Sequence, residues 1–211
     1  MNRERLEEIN QNLAKENEFL VLDGITDYDQ FGKSGLKILW IMKEANQSKG
    51  QHQDDLRVFH RNVKGYARWR RTYKIIIKST YGILHHLNFD DIPDESNISD
   101  VLNEIAFINV KKTGGGSSSN WTTIAEHYNK NKDLILEQIA CIEPDIIINA
   151  SRVEDLSNIL AISEWRQVEA FKVAKAKNAI IIHAYHPNQR KLNHPKYFEL
   201  ITKSLALMNE S

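Results

Sequence analysis

Leu36-Lys-Ile-Leu-Trp-Ile-Met42, with Gly35 before it and the polar stretch KEANQSKGQHQDD (43–55) after it, decides the fold. Seven residues are too few for a typical helix. An unbroken apolar run bounded by turn residues reads as a strand buried on both faces. Three further runs have the same character: Glu104–Val110 (EIAFINV), Asp145–Asn149 (DIIIN) and Asn178–His183 (NAIIIH). Helical patterns lie around and between them. Residues 2–16 place Leu6, Ile9 and Leu13 on one face, and 56–87 is mainly helical with a break at Gly65. A short helix follows Ser99, another spans 121–142 with Thr123 and Glu126 spaced as a capping box, and others cover 151–162 and about 196–208. Residues 166–176 fit neither period. Strands alternating with helices predict a three-layer α/β/α sandwich around a parallel four-stranded central sheet. Residues 1–35 read as an N-terminal helix and connector, and 36–211 as the α/β/α domain, in one compact unit.

The chain has 211 residues, 41% hydrophobic and 27% charged, enough for a sizeable core without staples. Cys141 is the single cysteine, so no intrachain disulfide and no all-cysteine metal or iron–sulfur site can form. The polar start MNRERLEEINQNLAKENE does not read as a signal peptide, and no apolar run reaches membrane-spanning length. A cytoplasmic, monomeric protein with no membrane partner is the expectation. Net charge is zero, yet windows 56–89, 105–125 and 170–198 contain no acid and hold eight, two and six Lys/Arg. One positive face, suited to an anionic ligand or nucleic acid, is expected from that segregation.

In a parallel sheet ligands sit beyond the carboxyl ends of the strands. The loops there are 43–55, 111–120, 150–152 and 184–195. Glu44 and Asn46 follow the first strand, where a carboxylate and an amide can hold water and stabilise positive charge. Asn109 interrupts an apolar strand with a group able to read a base edge or to bond a neighbouring loop. His186-Pro187-Asn188 follows the fourth strand and offers a proton donor on a stiffened backbone. Phe59–Tyr81 interleaves Arg68, Arg70, Arg71 and other cations with Tyr66, Trp69 and Tyr73. Such a stretch suits phosphates and base stacking, or a helix with an aromatic core face and a solvated basic one. The loop Gly114–Ser119 reads as flexible or as a phosphate-holding backbone nest. His183 and His186 have no acidic neighbour between 170 and 198, so neither metal nor cofactor is expected.

Taken in order, these pieces resemble the uracil-DNA glycosylase superfamily. Residues 38–46 (ILWIMKEAN) look like its first motif, a strand ending in Gly-Glu-Ala-Pro or Gly-x-Asn-Pro; 107–112 (FINVKK) look like its second-strand Asn motif. Residues 136–149 (LEQIACIEPDIIIN) are similar to a helix–Pro–strand segment of its thermostable iron–sulfur branch, and 181–188 (IIHAYHPN) look like its His-Pro-Ser motif. The similarity spans about 36–190. Lys43 replaces the motif Gly, Asn46 the Pro and Asn188-Gln189 the Ser-Pro, and the cluster cysteines are absent.

The resemblance implies a DNA glycosylase acting on a flipped uracil-like or modified base. Glu44, with Asn46, would position water and support oxocarbenium charge. Asn109 would read the pyrimidine edge, and His186 would bond the departing base. Tyr66, with Phe59 second, would stack on the base, and Asn188 would line the pocket. Arg68, Arg70, Arg71, Lys111, Lys112, Ser117, Arg190 and Lys191 would contact single- or double-stranded DNA, with Leu192 or Arg190 filling the vacated stack. The alternatives are a non-catalytic nucleic-acid or nucleotide binder on the same scaffold, or a small-molecule enzyme of another α/β family.

Overall fold

The computed structural model describes residues 1–16, 20–45, 54–62, 70–115, 120–153, 162, 164–176 and 178–210. Its strands are β1 (Val21–Leu22), β2 (Gly24–Ile25), β3 (Ile38–Met42), β4 (Asp54–Asp55), β5 (Ile105–Asn109), β6 (Ile146–Asn149), β7 (Arg166–Val168), β8 (Phe171–Ala176) and β9 (Ala179–His183). Its helices are α1 (Arg3–Glu16), α2 (Tyr28–Lys33), α3 (Leu56–Arg61), α4 (Arg70–Leu84), α5 (Trp121–Ile142) and α6 (His194–Asn209).

The main sheet has seven strands in the order β2-β5-β3-β6-β9-β8-β7. It is mixed, so the expectation of a four-stranded parallel sheet is corrected. The four apolar runs read from the sequence are mutually parallel neighbours in its middle, as β5, β3, β6 and β9. Antiparallel strands extend both sides: β2 pairs with β5, β8 with β9, and β7 with β8. The stretch 166–176 that fitted neither period is therefore a hairpin. Its strand β8, FKVAKA, buries Phe171, Val173, Ala174 and Ala176 and exposes both lysines.

Every residue of β3 is buried. Successive side chains of a strand point to opposite faces. Ile38, Trp40 and Met42 pack with Ile75 and Ile76 of α4 and Tyr197, Phe198 and Ile201 of α6. Leu39 and Ile41 pack on the other face with Leu6 and Ile9 of α1 and Ile124, Ile135 and Ile139 of α5. Two apolar layers thus sandwich the central strand, which is why it reads as a continuous apolar run. Asn120, not Thr123, caps α5: its side chain accepts from the Thr122 and Thr123 amides. The first 35 residues are built into the same body, since α1 packs on α5 and β2 joins β5. Gly24 there has φ of +122°, a conformation side chains resist. No helix among the described residues is long and apolar enough to cross a membrane.

The chain leaves β3 towards β5 on one side, and leaves β6 towards β9 on the other. Loops diverging from adjacent parallel strands open a crevice between them, and here it lies beyond Met42 and Asn149.

Candidate functional site

Glu44, Asn109 and His186 all lie at the carboxyl edge of the parallel strands. Met42 and Asn109 are register partners, Glu44 lies two residues beyond Met42, and His186 lies three beyond His183. At about 4.8 Å per strand, the loop after β9 begins roughly 10 Å from the end of β3.

His186 is half-buried, and its Nδ1 accepts from the Asn188 amide at 3.1 Å. That bond keeps the proton of the neutral ring on Nε2, which is left able to donate. Burial, with Lys43 and then Arg152 nearby, pushes its pKa down to about 4. The ring is therefore neutral at physiological pH. The loop that carries it is tied down locally. Gln189 donates its side chain to the Leu192 carbonyl at 2.9 Å and accepts from the Leu192 amide at 2.8 Å. Arg71 of α4 donates to the Gln189 carbonyl at 3.2 Å.

Glu44 is held differently from the expectation. Its Oε2 accepts from Lys111 Nζ at 2.6 Å, and its side chain is only 8% exposed. Lys111 also donates to the Gly114 carbonyl at 3.1 Å. Gly115 rests directly on the carboxylate, and a Cβ there would lie 2.0 Å from Oε2. The glycine-rich loop thus closes over Glu44, a close approach that only glycine permits. Lys111 is consequently an internal partner rather than a free DNA contact.

Lys112 is corrected more fully. It is 3% exposed, and its ammonium donates to both Asp23 oxygens at 2.9 Å and to Gln138 at 2.6 Å. Gln138 donates to Asp23 at 3.0 Å, and the Asn109 amide donates to Asp23 at 2.7 Å. This buried knot fixes the end of β5 and with it buried Asn109. Burial pushes the Lys112 amine down, against the pull of Asp23.

Phe59 is half-buried on α3 and packs at 5.6 Å from Tyr73, rather than standing free as a stacking platform. Leu192 is half-buried and packs against the core. Asn188, Arg190 and Lys191 are exposed on the loop after β9. Asn46, Tyr66, Arg68 and Ser117 lie outside the described residues, as does the side chain of Arg70. Most of the expected helix 151–162 does too.

Five of the sixteen cations in the acid-free windows are paired with acids from outside them. Arg57 pairs with Glu7 and Asp55, Lys74 with Glu95, Lys111 with Glu44, Lys112 with Asp23, and Lys196 with Glu169 and Glu199.

The sequence reading passed over three residues that the fold brings to the crevice: Lys43, Trp121 and Arg152. Lys43 Nζ lies 4.4 Å from the Trp121 ring centroid, and the Arg152 guanidinium lies 5.4 Å from it. Arg152 also lies 5.8 Å from the Tyr185 ring, and Lys191 lies 5.4 Å from that ring. Burial, and then Arg152, push the Lys43 amine down. Arg152 adopts φ of +66°, uncommon for a non-glycine residue. Asn149 and Ser151 impose that turn. Asn149 Oδ1 accepts from the Ser151 amide at 3.1 Å and from its hydroxyl at 2.6 Å. Asn149 Nδ2 donates to the Val153 carbonyl at 3.0 Å, and the Val153 amide donates to Ser151 Oγ at 3.1 Å. The available signal was a polar Asn149 ending an apolar strand, the feature that drew attention to Asn109. Among the described residues no three His, Cys, Asp or Glu side chains gather as a metal site.

Comparison with protein-family models gives no match, and comparison with curated proteins gives none either.

Proposed function

We propose that the chain is a DNA glycosylase acting on a uracil-like or modified base. The observation that carries this reading is the neutral His186 ring, its Nε2 proton free to donate, on the same sheet edge as Asn109 and Glu44. Four mutually parallel strands with helices on both faces support a uracil-DNA glycosylase-like arrangement, extended at its edges by antiparallel strands. The glycosidic bond of a stacked base is unreachable, so the base enters the crevice flipped. Negative charge then grows on the departing base, and His186 donates to it without first having to lose a proton. Asn109, fixed through its amide by Asp23, offers donor and acceptor atoms to the base edge. Glu44 opposes the positive charge growing on the sugar. No cofactor is invoked.

One observation favours a second reading, a binder of nucleic acid or nucleotide without cleavage. Glu44 is engaged by Lys111 and covered by Gly115, which leaves it poorly placed to activate water. A panel of labelled oligonucleotides carrying uracil, hypoxanthine, xanthine or modified cytosines, scored for abasic sites, separates the two. For the base that is cleaved, His186→Ala is expected to lower the single-turnover rate about 10²–10³-fold while binding persists. Cleavage of no base by the wild type, with DNA still bound, replaces the first reading by the second. A wild-type rate in both His186→Ala and Glu44→Gln refutes the mechanism.

A further inference from the structure

We infer that Lys43, Arg152 and His186 form a site for a phosphate monoester, the terminal phosphate of a nucleotide or of a strand end. This deepens the nucleic-acid reading and rests on it for the identity of the molecule that carries the phosphate. The site itself does not depend on cleavage.

Three features of the crevice point to a dianion. The first is uncompensated charge. Lys43 and Arg152 approach the same Trp121 ring, and neither makes an ion pair with a carboxylate among the described residues. Glu44, the neighbour of Lys43, draws the Lys43 amine up but is itself bonded by Lys111. Two cations held against one aromatic ring repel each other, and a ligand carrying two negative charges removes that cost. A phosphate monoester carries about −1.5 to −2 at neutral pH, whereas an internal phosphodiester or a carboxylate carries one charge.

The second feature is a donor-only lining. Lys, Arg and a neutral histidine whose Nδ1 is already occupied all present N–H groups and no acceptor towards a ligand. A terminal phosphate is a matching acceptor with three oxygens. Trp121, the ring both cations approach, is the first residue of the 22-residue α5.

The third feature is a strained backbone held on purpose by its surroundings. Four hydrogen bonds among Asn149, Ser151 and Val153 fix the turn that puts Arg152 at φ of +66°. Such strain persists where the surroundings over-determine it, and it concentrates at ligand clamps. Trp121 is 43% exposed, so the place where the two cations meet is open to solvent.

Calorimetric titration with inorganic phosphate at pH 7.5 tests the site, followed by competition between 5′-phosphorylated and 5′-hydroxyl forms of one short oligonucleotide. Phosphate is expected to bind, and the 5′-phosphorylated strand is expected to displace it more strongly than the 5′-hydroxyl strand. Lys43→Met and Arg152→Gly are each expected to weaken phosphate binding about tenfold or more, the loss of one charge-assisted contact. Glycine is chosen at 152 because it tolerates the left-handed turn. Lys203→Ala, a surface lysine paired with Glu169 and Glu199, is expected to leave binding unchanged. No phosphate binding by the wild type overturns the inference, as does binding unaffected by both variants. Equal displacement by the two strands overturns the monoester assignment. None of these measurements involves base excision, so a negative result here is separate from a negative result in the oligonucleotide panel.

Discussion

Replacing Lys112 by methionine is expected to cost about 3–5 kcal/mol of folding stability. The ammonium sits 2.9 Å from each Asp23 oxygen, in a place where Lys112, Asp23 and Gln138 are all buried. At that distance and an effective dielectric of about 20, the attraction is about 6 kcal/mol before desolvation is charged against it. Methionine fills much of the same volume but leaves the Asp23 carboxylate buried with only the Gln138 and Asn109 N–H groups as partners. A buried charge stripped of its counterion is the expensive case, and about 3–5 kcal/mol is its usual cost. For a chain of this length, about 3 °C per kcal/mol makes the fall in Tm roughly 10 °C. Urea unfolding followed by circular dichroism and by tryptophan fluorescence measures it, with coincidence of the two curves checking two-state behaviour. The Asp23→Asn/Lys112→Met double variant is expected to recover about 1–3 kcal/mol relative to Lys112→Met, because no unpaired charge remains. A loss below about 1 kcal/mol in Lys112→Met, or a double variant less stable than the single one, refutes the reasoning.

Two further outcomes are expected. His60 is buried against Phe107, bonds the Tyr73 hydroxyl through Nε2 at 2.8 Å, and has its pKa pushed by burial down to about 3. A base whose folded pKa lies below its unfolded value of about 6.5 binds protons better when unfolded, so its contribution is present above that pH and lost as pH falls towards 3. Urea midpoints at pH 7 and pH 5 are expected to show the wild type losing about 2 kcal/mol more than His60→Phe over that interval, and equal losses refute it. Asn149→Ala removes the acceptor that holds the Ser151 turn and so frees Arg152. It is expected to cost about 1–3 kcal/mol of stability and to weaken phosphate binding without touching the ligand. Unchanged affinity in a folded Asn149→Ala protein contradicts the role given to the turn.

The middle of the sheet was legible because strands buried on both faces admit no polar alternation. Ile38–Met42, Ile105–Asn109, Ile146–Asn149 and Ala179–His183 are all apolar runs closed by turns or a polar end. The antiparallel edges were not legible, for opposite reasons. The strand β2 is two residues long and owes its existence to β5, some 80 residues away. The strand β8 buries Val173 and Ala174 between its lysines and Ala176 after them, a pattern too weakly apolar to separate from a helix face. Helix α5 was read to its true length, but its cap lies one turn earlier than the Thr123–Glu126 spacing suggested, because Asn120 does the capping.

The site was legible where chemistry coincides with an interrupted apolar run, as at Asn109, or with a stiff loop, as at His186. It was illegible where meaning depends on a distant partner. Nothing near Lys112 in the sequence signals that Asp23 and Gln138 close around it. Nothing near Glu44 shows that Lys111 and Gly115 occupy its carboxylate. The charge windows hide their pairing for the same reason. Five of their sixteen cations are paired with acids from outside the windows, so a segregation that is real along the chain is partly cancelled in space.

Among the described residues, Lys43 and Arg152 stand at the crevice between β3 and β6 without a carboxylate, and neither belongs to an acid-free window. Their aromatic contacts with Trp121 and Tyr185 compensate only in part, since such contacts are worth about 0.5–2 kcal/mol each. Many of the other half-buried cations, such as Arg57 and Lys111, have an acid. Two cations with no carboxylate partner among the described residues, one of them on a left-handed backbone turn, leave positive charge there for an anion to balance. The neutral His186 beside it adds a donor and no acceptor. Charge, donor count and strain therefore select an incoming anion at the one edge of the sheet where α/β proteins hold their ligands.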